Sequence, residues 1–137
     1  MSFDVLGIIA PHPPIMVPEV GHADSEVTRA SAEALGAARG LLTRFAPDTV
    51  VIMSPHSPAY RDAFTVTSAG RLRGDLGQFG AAGAGRHVAG DPELASAICT
   101  VAAARDIPLA PVGPARGGAA DLDHGVLVPM YFLDPDG

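Results

Sequence analysis

Two stretches of one kind constrain this chain more than any other feature. One is Gly7-Ile8-Ile9-Ala10-Pro11-His12-Pro13-Pro14, and the other is Val50-Val51-Ile52-Met53-Ser54-Pro55-His56-Ser57-Pro58. Each is an apolar, β-branched run that meets a proline and then presents a histidine. A short apolar run bounded by prolines reads as a buried strand. Proline cannot continue a central ladder, so each strand is expected to end where Pro-His begins. Both histidines then stand just past the carboxyl end of a strand, the edge where open parallel sheets bind ligands.

The residues between the two runs read as a helix over Asp24 to Phe45. Val27, Ala30, Ala34, Leu35, Ala38, Leu41, Leu42 and Phe45 recur at helical steps, with Glu26, Arg29, Glu33 and Arg44 between them. Asp24 or Ser25 can cap its start. Strand, helix and strand make one right-handed βαβ unit. Neighbouring strands lie about 4.8 Å apart, so His12 and His56 are expected to project from one edge, close enough to share a metal ion. Neutral imidazole suits Fe(II) or Zn(II).

Further along, Asp62 to Ser68 reads as a strand closed by the Ala69-Gly70 turn, and Arg71 to Leu76 as a short strand. Gly77 to Gly90 has no period and is expected to be a mobile lid. Asp91-Pro92-Glu93-Leu94 starts a helix running to about Arg105. Ile107 to Val112 reads as an edge strand because of Pro108 and Pro111. Val126 to Leu133 reads as a short helix, with a strand as the alternative. The pattern predicts a single α/β domain over 1–137, a three-layer α/β/α sandwich with a largely parallel sheet.

Partner classes follow from charge. All nine basic residues are arginine, and with fifteen acidic residues the formal net charge is −6. Nucleic acid and anionic membrane are therefore not expected partners, because both call for a basic face. No apolar run reaches the roughly 20 residues of a membrane span. The opening residues have no basic n-region, and the one cysteine, Cys99, reads as packed core. A cytoplasmic location is the expectation.

Other polar residues divide by context. His124 lies in Asp123-His124-Gly125. It reads equally as a general acid–base oriented by Asp121 or Asp123, or as a neighbour of an Asp123 helix cap. His22 and His87 read as solvated residues. Glu19 reads as a surface carboxylate that could reach a metal on His12.

These residues resemble a known family. The Pro-His and Ser-Pro-His-Ser-Pro motifs and Leu122-Asp123-His124-Gly125-Val126-Leu127-Val128-Pro129-Met130 are similar to the class III extradiol ring-cleavage dioxygenases, catalytic B-subunit superfamily. Gly74-Asp75-Leu76, Phe79-Gly80 and Gly90 to Ala95 fit the same pattern. The superfamily includes Memo-like proteins and the B component of the AmmeMemoRadiSam set. The resemblance implies Fe(II) on His12 and His56, with His124 as the acid–base and Asp123 and Gly125 beside the substrate. It implies a small aromatic diol and O2 as reactants. A homodimer or higher homo-oligomer is expected, because an absent later half would leave apolar surface exposed.

In that family the third ligand, a glutamate, lies in a later half without counterpart here. The chain is thus expected to be the amino-terminal part of a longer family domain, or else a shortened relative, with Glu19 as the candidate substitute. Two other functions fit the same residues. One is a Memo-like non-catalytic or redox-signalling interaction protein. The other is a zinc-dependent hydrolase or lyase.

Overall fold

Local capping signals place the helices. The computed structural model describes residues 5–58, 60–115 and 117–134. Helix α1 is the single turn Pro18–Gly21, and α2 spans Arg29–Phe45. Helix α3 spans Pro92–Ala103, and α4 spans His124–Leu133. Asp91 caps α3 by accepting the Leu94 N–H at 2.8 Å, as the Asp-Pro start predicts. Asp123 caps α4 by accepting the Gly125 N–H at 2.7 Å. The helical alternative for 126–133 is therefore the one formed, and it begins two residues earlier.

The start of α2 departs from expectation. Residues His22–Thr28 form a 3-10 segment, and neither Asp24 nor Ser25 caps the helix. Ser25 Oγ instead donates to the His22 carbonyl at 2.7 Å, and Thr28 Oγ1 to the Ser25 carbonyl at 2.8 Å. These hydroxyls compete with the i to i−4 ladder, which tightens the turn. The helix ends at Ala46 in the left-handed region, φ 48°, just before Pro47.

Among the described residues, five strands form two sheets. β1 (Phe64–Thr67) pairs in parallel with β4 (Leu109–Val112), from Phe64 opposite Leu109 to Thr67 opposite Val112. Pro111 is tolerated because this sheet has only edges. In the other sheet, β2 (Arg71–Leu76) is central, antiparallel to β3 (Ala81–Ala89) and parallel to β5 (Ala120–Asp121). The chain is α/β. One of its sheets is mixed, so a largely parallel sheet does not describe these residues.

Three expectations are corrected. First, the runs ending at Ala10 and Met53 form no strand among the described residues. Ile9 is 102% exposed, and Val51 and Met53 are 65% and 93% exposed. A β-branched run becomes a strand only against a neighbour that takes its backbone hydrogen bonds, and these runs have none here. Second, the expected lid is not a loose loop: its larger part is β3, hydrogen-bonded to β2. Third, β5 forms between Val112 and Val126, where the sequence pattern calls for no strand.

The core gathers Met16, Val17, Leu35, Leu76, Ala81, Ala84, Leu127 and Val128. It joins the turn after His12 to α2, the β2–β3 hairpin and α4. Fully burying a Leu or Val contributes about 1.5–3 kcal/mol, so Leu76, Val17 and Val128 tie these elements together. The elements that carry the histidines thus converge on one side of this core.

Candidate functional site

His12 is placed by the residues that follow it. Pro13 and Pro14 start a 3-10 turn, Pro14–Met16, in which the Met16 N–H donates to the Pro13 carbonyl at 3.0 Å. Met16 and Val17 are buried, which anchors the extended chain carrying His12.

His56 is placed by Asp123. One carboxylate oxygen, Oδ1, accepts from Ser54 Oγ at 2.6 Å and from the Gly125 N–H. The other, Oδ2, accepts from Ser57 Oγ at 2.9 Å. Ser54 Oγ in turn accepts the His56 N–H at 3.2 Å. The helix cap therefore grips the Ser-Pro-His-Ser loop from both sides of His56. Close approach requires Gly125, since a Cβ there would collide with Ser54 Oγ and lie 3.1 Å from His56 Cδ2.

The result is a group of three imidazoles. His12 Nε2 and His56 Nε2 are 3.1 Å apart. The His124 ring lies 4.0 Å from the His56 ring at 32°, and 6.1 Å from the His12 ring. They line an open recess of about 670 Å³ together with Ile9, Ala10, Pro11, Pro13 and Pro14. The 3.1 Å separation is that of a single shared proton. It is also that of two nitrogens on one ion, because bonds of about 2.0–2.1 Å at roughly 90–110° put the donors roughly 2.8–3.4 Å apart. Among the described residues no set of three or more His, Cys, Asp or Glu side chains is arranged to hold a metal. Among the described residues, His12 and His56 are the two nitrogen donors that approach at ligand spacing.

Electrostatics distinguish the groups. Burial holds the His124 pKa below its ordinary value, His56 and His12 add to this, and the Asp123 charge opposes it. The neutral, proton-accepting imidazole is favoured. Burial pushes the Asp123 carboxyl up, but hydrogen bonds from Ser54, Ser57 and the backbone of Gly125 and Val126 outweigh it and leave the pKa lowered.

That shift has a consequence for acid stability. A depressed carboxyl contributes stability that is complete above its unfolded value, near 3.8, and is lost as pH falls through the folded one. Asp123→Asn keeps the cap acceptor but removes the charge. Denaturant unfolding across pH 2–6 is expected to show a shallower loss of stability in the Asn variant. Parallel curves for the two proteins would refute the assignment.

The remaining candidates lie elsewhere. Tyr131 Oη donates to the Glu19 carboxylate, 3.0 and 2.8 Å from its two oxygens. The contact latches α1 to α4, and Glu19 does not line the recess. Burial and the Glu19 bond and charge raise the Tyr131 pKa, with Arg86 opposing. Asp121 lies in β5 beside a second groove with Arg73, Asp75 and His87, so it does not orient His124. His22 and His87 are exposed, as expected. Cys99 is half-buried on α3.

Ser54 and Ser57 were not singled out from the sequence, although they bracket His56 in the quoted motif. Phe79 was also missed. Its ring meets His124 edge-on at 5.3 Å and 76°.

No helix among the described residues is long and apolar enough to cross a membrane. Residues 6–136 match the family described as the catalytic LigB subunit of aromatic ring-opening dioxygenase. The chain is 28% identical over 130 residues to Protein CA_C1420 of Clostridium acetobutylicum. That alignment covers 92% of this chain and 28% of the Clostridium protein, so the chain spans little more than a quarter of that relative's length. No solved structure is significantly similar to it.

Proposed function

The chain belongs to the family of the catalytic LigB subunit of aromatic ring-opening dioxygenases, and from that premise we propose that its histidine recess serves non-haem Fe(II)-dependent extradiol cleavage of a catecholic substrate by O2. The observation that carries the reading is the 3.1 Å approach of His12 and His56 Nε2 with His124 stacked alongside. His12 and His56 are the proposed metal donors, and His124 the acid–base. When bound, Fe(II) supplies Lewis acidity and open positions for the diol and O2.

The chain's own residues then have definite tasks. The walls from Ile9 to Pro14 take the apolar ring, and about 670 Å³ accommodates a single-ring substrate. His124, held neutral, accepts a hydroxyl proton. Asp123 stabilises the imidazolium that results and, with Gly125, keeps the His56 loop against the substrate side of α4. Glu19, already bonded to Tyr131, is a poor third donor. We assign that role to a carboxylate outside these residues, on further polypeptide or a second copy. The same extension would pair the exposed runs 5–10 and 50–53 into the largely parallel, three-layer sandwich, with this domain as its amino-terminal part. A cytoplasmic homo-oligomer fits the reading.

The Memo-like reading rests on one observation: only two donors converge among the described residues. Anaerobic Fe(II) reconstitution followed by O2 uptake with a panel of catechols tests the proposal. The expected result is catechol-dependent uptake that His124→Ala lowers by about 10²–10⁴-fold. Zinc in place of iron without uptake would indicate a hydrolase or lyase, and no stoichiometric metal would favour the interaction protein.

A further inference from the structure

Phe79 belongs to a turn with little freedom. The 3-10 turn Gly77–Phe79 connects β2 to β3. Asp75 Oδ1 accepts the Gly77 N–H at 2.7 Å, and the Gly80 N–H donates to the Gly77 carbonyl at 2.9 Å. Gly80 closes the turn at φ 87°, which glycine adopts without the strain a side chain would bring. Leu76 before the turn is 1% exposed, so the hairpin is pinned to the core. Phe79 is half-buried and packs on the same core cluster. Its ring packs T-shaped against that of His124, yet Phe79 does not line the recess.

His124 therefore has an aromatic contact on each of two sides. The His56 ring stacks at 4.0 Å and 32°, while the Phe79 ring stands across it at 5.3 Å and 76°. T-shaped packing restricts rotation because turning the imidazole would drive it into the phenyl ring or leave a void. We propose that Phe79 is the positioning residue for His124, and that the β2–β3 hairpin exists at this place partly to deliver it. Phe79 touches neither substrate nor metal. It acts by holding the imidazole between His56 and the hairpin, where it lines the recess.

The positioning claim stands on geometry. Only its effect on turnover rests on the dioxygenase reading. The test uses metal-free protein with labelled histidine and phenylalanine rings, so that it needs no activity. Wild type is expected to show ring-to-ring Overhauser contacts between Phe79 and His124. In Phe79→Leu, which keeps apolar bulk, the His124 ring signals should shift and broaden or double, while those of His22 stay in place. Phe79→Tyr should restore a single sharp His124 set.

Unchanged His124 signals in the Leu variant would overturn the proposal, as would a Tyr variant displaced as far as Leu. Should Phe79→Leu fail to fold, absence of the Phe79–His124 contacts in wild type overturns it equally. With Fe(II) and a catechol, Phe79→Leu should lower kcat by up to about tenfold, the size of one lost edge-to-face contact, with KM little moved. Intact ring contacts with no wild-type O2 uptake would sink the dioxygenase reading and leave the positioning role standing.

Discussion

Replacing either His12 or His56 by alanine is expected to lower affinity for Fe(II), or for Co(II) as a spectroscopic stand-in, by at least about 100-fold. Loss of a residue that merely orients a ligand already costs roughly 10–100-fold, and loss of one of two donors should cost more. A single imidazole on an open surface is little better than imidazole in solution. The double variant should show no saturable site. Both rings border open solvent, and their 3.1 Å contact is an exposed one. Their removal should therefore leave the unfolding midpoint nearly unchanged, which separates loss of a donor from loss of the fold. Glu19→Gln should keep the wild-type affinity, because that carboxylate is bonded to Tyr131 and not to the histidines. Anaerobic calorimetric titration measures the wild type and the four variants. Equal affinity in wild type and the double variant would rule out the pair as a metal site, and a large loss in Glu19→Gln would return Glu19 to the ligand set.

Gly125→Ala is expected to destabilise the protein and to disperse the three histidines. In most helices the sign is opposite: alanine is favoured over glycine by about 0.5–1 kcal/mol. Here the added Cβ would meet Ser54 Oγ, and it would lie 2.9 Å from Asp123 Oδ1 and 3.1 Å from His56 Cδ2. Real Cβ atoms do not sit that close, so the loop must retreat or the cap must open. Losing a cap costs about 1 kcal/mol (range 0.5–2), and the Ser54 and Ser57 bonds to Asp123 go with it. A net loss of about 1–2 kcal/mol should appear in urea unfolding. The same retreat carries His56 away from His12, so metal affinity should fall although no donor is removed. Unchanged or increased stability would show that the loop and α4 are not locked together through Gly125.

The exposed runs set a limit on what local pattern can say. Ile9, Val50, Val51 and Met53 sit on segments with strand composition, yet they face solvent and form no ladder among the described residues. Strand composition alone does not supply the neighbouring backbone that a ladder needs.

The sequence by itself determined the features whose causes are local. Asp91 and Asp123 cap helices because a short acceptor side chain before a helix meets the N–H groups two or three residues on. The β1 and β4 strands follow from their β-branched and edge-tolerant residues. The pairing of His12 with His56 was legible because two identical punctuation marks, Pro-His after an apolar run, end two segments joined by one helix. The family motifs were legible for the same reason.

Only the tertiary structure decided what depends on contacts between distant residues. β3 is largely Gly and Ala, with no apolar alternation, and it is a strand because β2 lies beside it. Glu19 finds Tyr131 across 112 positions, a bond that ties α1 to α4. Ser54 and Ser57 find Asp123 across 69 and 66 positions, and that grip, rather than two adjacent strands, is what brings His56 to His12 and His124. Such contacts leave no period or spacing in the chain, because each is selected by packing among elements whose order in space the one-dimensional pattern does not carry.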